Sequence, residues 1–137
     1  MQATEVTGSK SRIAVLVGLA MSVVLLFPAS APADTFRVRA QESPDKCGGS
    51  SSGCWKASYR HISKGDRIVW VNPASNMQDH DVHAIGSNWG KSTMLRPGER
   101  TKKVFKRTGL YKYRCRIHSQ RVDGRWEGMI GAIHVGG

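Results

Sequence analysis

The chain has 137 residues, with 21 Lys and Arg against 10 Asp and Glu, a formal charge of +11. That length suits one domain of ordinary size. So basic a chain favours anionic partners. Nucleic acid is set aside for two reasons: an export signal, and basic residues (Lys112, Arg114 and Arg116) that alternate with Tyr111, Tyr113 and Cys115 as on the wet face of a strand.

Lys10 and Arg12 precede an apolar run from Ile13 to Phe27, followed by Ala31-Pro32-Ala33. A basic start, an apolar middle and an Ala-x-Ala end describe a secretory leader. The run is 15 residues, short of the roughly 20 that span a bilayer as a helix. We expect a leader over residues 1–33 and an exported domain over 34–137, located in the periplasm, at the cell surface or outside the cell. An uncleaved membrane anchor is the alternative.

From residue 34 the chain reads as short strands between turns. Phe36, Val38 and Ala40 alternate with Arg37 and Arg39 as an opening strand. Residues 41–53 are a polar loop. Cys47 and Cys54 flank a Gly/Ser stretch flexible enough for a disulfide; a redox-active or metal-binding pair is the other reading. Trp55 to His61 is expected as a second strand, Arg67 to Val71 as a core strand apolar on both faces, and Asn72 to Asp79 as a loop. His80 to Ile85, Thr101 to Phe105, Leu110 to Arg116 and Met129 to Val135 complete the set, with turns at Pro97-Gly98 and Gly109. No helical periodicity is sustained after residue 33, so the expected class is all-β, a sandwich or barrel.

Cys115-Arg116-Ile117-His118 closes the most strongly alternating strand. Cys115 shares its face with Tyr111 and Tyr113, which points it inward. His80 offers a second imidazole and Met129 a thioether, with Met77 and Met94 as competitors for that position. Two imidazoles, one thiolate and a weak axial thioether are the donors of a trigonal blue-copper site. His83 is three residues from His80 and faces the other way on a strand, so it reads as a surface or packing histidine. His61 and His134 have no partner motif. Five histidines in all argue against enzymes that need several copper sites.

The chain resembles the cupredoxins, closest to the plastocyanin-like members, from about Gly65 to Val135. The resemblance rests on Gly65-Asp66, Trp70-Val71-Asn72, His80-Asp81-Val82, Pro97-Gly98-Glu99, Gly109 to His118, and Gly128-Met129-Ile130-Gly131. It implies a Greek-key β-sandwich holding one type 1 copper ion on His80, Cys115, His118 and Met129, and single-electron transfer between redox proteins. The sequence departs from the family in three places. The stretch between His118 and Met129 is longer than in plastocyanins, Lys103 stands where an apolar strand residue is usual, and Asp81 replaces the common Asn. An acid at 81 suits a brace on the backbone near Cys115; a surface carboxylate is the other reading.

The resulting expectation is a monomeric, exported, non-enzymatic electron carrier. Its basic face would meet an acidic redox protein or an anionic membrane surface. The rival readings are a copper storage or delivery protein and a metal-free binding module.

Overall fold

A computed structural model describes residues 32–49 and 53–137. Apart from its last two residues, the expected leader lies outside the described residues. No helix among the described residues is long and apolar enough to cross a membrane.

Nine strands form two sheets among the described residues: β1 (Thr35–Gln41), β2 (Cys54–Lys56), β3 (Tyr59–Ser63), β4 (Arg67–Val71), β5 (His80–Ile85), β6 (Ser92–Leu95), β7 (Arg100–Val104), β8 (Gly109–Val122) and β9 (Arg125–Gly136). One sheet runs β2-β1-β4-β7 and the other β3-β9-β8-β5-β6. The pairs β1/β4 and β3/β9 are parallel and the rest antiparallel. The expected all-β sandwich is present.

Alternation explains what faces inward. Val38 and Ala40 of β1 and Ile68 and Trp70 of β4 are buried, as are Tyr111, Tyr113 and Cys115 of β8 and Ile133 and Val135 of β9. Trp70 anchors the interior, with its ring 5.4 Å from Tyr113 edge-on, 6.3 Å from Trp89 and 6.5 Å from Phe105. Buried aromatics of this size each contribute about 3–5 kcal/mol relative to alanine. Val69 and Val71, expected to be buried with the rest of β4, are only half-buried. They lie on the outer face beside Arg37, Arg39, Arg100 and Lys102.

Three local readings change. Trp55 to His61 is two strands in different sheets, broken at Ala57, whose φ of 59° turns the chain from the first sheet into the second. The strand expected over Leu110 to Arg116 continues to Val122, and the last strand starts at Arg125 rather than Met129. Lys103 pairs in register with buried Ile68, and its ammonium lies 5.8 Å from the Trp89 ring.

Cys47 and Cys54 form a disulfide, as expected, which ties the 3-10 turn at Pro44–Lys46 to the start of β2.

Candidate metal centre

β5 and β8 are antiparallel neighbours, and His80 and Cys115 project inward from them near one end of the sandwich. Beyond Arg114 the β8/β9 ladder breaks and resumes at Ser119, and this bulge swings His118 back over Cys115. One donor atom from each of His80, Cys115 and His118 lies within 4.8 Å of the others. The two imidazole Nδ1 atoms are 3.1 Å apart, and Cys115 Sγ is 3.4 Å from His118 Nδ1. His80 and Cys115 are fully buried, while His118 is half-buried.

The surrounding hydrogen bonds hold these donors in place. His80 Nε2 lies 3.2 Å from Glu42 Oε1, and His118 Nε2 lies 2.6 Å from Gln78 Oε1. Protons on both Nε2 atoms satisfy those oxygens and leave both Nδ1 lone pairs facing the thiol. Glu42 is itself fixed by the backbone N–H groups of Met77 and Gln78, at 2.9 and 2.8 Å. Buried Asn72 secures the same loop by donating to the carbonyls of Gln78 and Leu95. The Asp81 N–H donates to Cys115 Sγ at 3.3 Å. The buried Asp81 carboxylate accepts from the Arg116 N–H and Nε, both at 2.5 Å. Asp81 is thus the brace its position suggests. Ser119 Oγ donates to the Cys115 carbonyl and closes the bulge.

Burial pushes both imidazoles below the ordinary histidine value; Glu42 opposes this at His80, and the neighbouring His80 adds to it at His118. Burial raises the Cys115 thiol, against the N–H groups of Asp81, His118 and Ile117. At Glu42 burial favours the neutral acid, but the Met77 and Gln78 N–H groups and His80 outweigh it, so its carboxyl sits below the usual range. Neutral imidazoles are ready donors, and a cation bound here displaces the thiol proton.

Met129 is fully buried, whereas Met77 is 90% exposed and Met94 46%. On β9, Met129 falls between Gly128, paired with Ser119, and Ile130, paired with Arg114. It therefore lies across the ladder from the bulge that carries Cys115 and His118, with its side chain in the interior. The two glycines around it are required by close approach. A Cβ on Gly128 would collide with the His118 carbonyl oxygen, and one on Gly131 would collide with the Tyr113 ring and lie 2.5 Å from the Ser58 carbonyl oxygen.

The long stretch between His118 and Met129 is a two-stranded arm, with Ser119 to Val122 paired to Arg125 to Gly128. Asp123 and Gly124 make its turn, both at positive φ, as a two-residue hairpin of the primed type requires. The Arg114 guanidinium stacks 3.7 Å from the Trp126 ring on this arm, a packing role for that tryptophan. His83 lies on the outer face, 3.4 Å from Ser92 Oγ, away from the cluster.

No protein-family model and no curated protein matches the chain. Solved structures do. A purple cupredoxin from Nitrosopumilus maritimus superposes with a TM-score of 0.54 over 73% of this chain and 98% of that one, at 19% identity. The chain has the cupredoxin fold. An amicyanin variant in its reduced Cu(I) form matches this cupredoxin sandwich with a TM-score of 0.55, covering 79% of this chain and 88% of that one at 19% identity. A copper-containing nitrite reductase from Thermus scotoductus matches at 0.51 and 22% identity, over 84% of this chain but only 25% of the reductase.

Within this cupredoxin fold, a soft thiolate and two imidazoles suit copper in both oxidation states. Sequence reasoning missed Glu42 and Gln78, which fix the two rings from the loops at one end of the sandwich.

Proposed function

We propose that this protein is a type 1 copper electron carrier, with the metal held by His80, Cys115, His118 and Met129. The observation that carries the reading is the buried Cys115 sulfur, set among two Nδ1 atoms whose rings are locked from behind. Bound copper would supply a one-electron Cu(II)/Cu(I) couple. The chain's part is to keep the donors still between the two states. The β5/β8 ladder, the Asp81–Arg116 bridge and the Glu42 and Gln78 contacts all serve that end.

His118 is the exposed edge of the cluster, and Ile117 and Met77, 53% and 90% exposed, stand beside it in sequence and through Gln78. This rim is the proposed port for the electron. The basic outer faces would steer an acidic redox protein or an anionic membrane surface. The Cys47–Cys54 disulfide and the expected leader support an exported, oxidising location. We take the working unit to be a monomer without enzymatic activity of its own.

The experiment is voltammetry of the copper-loaded protein, followed by incubation with an apo-acceptor. Reversible one-electron cycling with copper retained supports the carrier. Rapid handover of copper to the acceptor without redox cycling supports storage or delivery instead.

A further inference from the structure

On the outer face of the second sheet, far from Cys115, two other imidazoles meet. His61 of β3 and His134 of β9 are direct partners in the parallel ladder, flanked by the pairs Tyr59/Ala132 and Ser63/Gly136. Both are exposed. Their Nδ1 atoms are 2.9 Å apart, with the rings nearly perpendicular at 80°.

We propose that His61 and His134 form a second, exposed metal site that takes Cu(II) from solution. The spacing argues for it. Two nitrogens about 2.0–2.1 Å from one ion and at right angles to each other lie about 2.9 Å apart, whereas tetrahedral ligands lie about 3.3 Å apart. The site therefore fits adjacent corners of a square-planar ion better than zinc. At His80 and His118, the proposed metal centre, two Nδ1 atoms also lie 3.1 Å apart, with the ring centroids nearer at 4.7 Å against 4.9 Å here. The ladder fixes both backbones, so only the two side chains need ordering on binding. A hydrogen bond between two neutral rings accounts for the same contact, but on a wet face it competes with water and gains little. A small turn of the two exposed rings lets one ion take both lone pairs, and water completes its coordination.

The site is independent of the Cys115 centre. His134 is five residues along β9 from Met129, about 17 Å at the rise of a strand, and its side chain points out while Met129 points in.

The test is a titration of the purified full chain with Cu(II) after one equivalent has been bound. A second equivalent should appear with a tetragonal electron spin resonance signal and no added thiolate band. His61→Ala and His134→Ala should each abolish it, and His83→Ala should not. Any blue band from the first equivalent reports in each variant that the fold is intact. Ni(II) and Zn(II) should bind more weakly than Cu(II). A second equivalent that is absent, or that survives both substitutions, overturns the proposal. A histidine-dependent equivalent without a blue band keeps this site and removes the electron-carrier reading, so the two failures are distinguishable.

Discussion

Gly131→Ala should destabilise the sandwich far more than one methyl group suggests. A Cβ there would overlap the Tyr113 ring and lie 2.5 Å from the Ser58 carbonyl oxygen. Tyr113 is fully buried, packs on Trp70 and Trp55, and donates its hydroxyl to that same carbonyl at 2.9 Å. Overpacking costs about 1–3 kcal/mol, and a weakened buried hydrogen bond adds about 0.5–1.5 kcal/mol. The total is about 1.5–4.5 kcal/mol, a shift of about 1–2 M in the urea midpoint at the mid-range slope for a small domain. Gly136→Ala on the same strand is the control, because its nearest neighbour would be Ile62 O at 3.9 Å. Tryptophan fluorescence against urea reads both variants. Combining Gly131→Ala with Tyr113→Phe should cost less than the sum of the two, since the removed hydroxyl is one of the overlapping atoms. Equal midpoints for Gly131→Ala and Gly136→Ala would refute the reasoning.

Three further outcomes follow from the site. Glu42→Gln should lower Cu(II) affinity about 10–100-fold, as loss of a carboxylate behind a metal-bound imidazole does; competition with a chelator measures it, and wild-type affinity would mean that Glu42 leaves His80 unaffected. Met129→Leu should keep copper and its thiolate band but change the reduction potential, read by voltammetry; an unchanged potential would remove the axial role from Met129. Cys47→Ser with Cys54→Ser should cost about 2.5 kcal/mol, the chain-entropy value for so short a loop, seen as a lower urea midpoint with the blue band retained; loss of the band in folded protein would tie the disulfide to the metal centre.

Period-two alternation made most strands legible, because inward and outward residues on β1 and β8 differ so sharply in polarity. The disulfide was legible from its flexible spacer, and the Asp81 brace from its place beside a ligand candidate. The break at Ala57 was not: nothing in Trp55 to His61 announces a positive φ at an alanine. The arm from Ser119 to Gly128 leaves one local sign, the hairpin turn pair Asp123-Gly124, between strands too short and polar to show alternation. Glu42 and Gln78 reach their histidines across 38 and 40 residues, and His61 meets His134 across 73. Such contacts depend on strand order and register, which local pattern does not encode.

The central claim is that the Cys115 sulfur binds copper as a thiolate. The most direct measurement is the visible and electron spin resonance spectrum of the purified protein with one equivalent of Cu(II), beside that of Cys115→Ser. The account predicts an intense thiolate-to-copper band in the wild type and none in the variant. A colourless wild type, or a band that persists in Cys115→Ser, would contradict it.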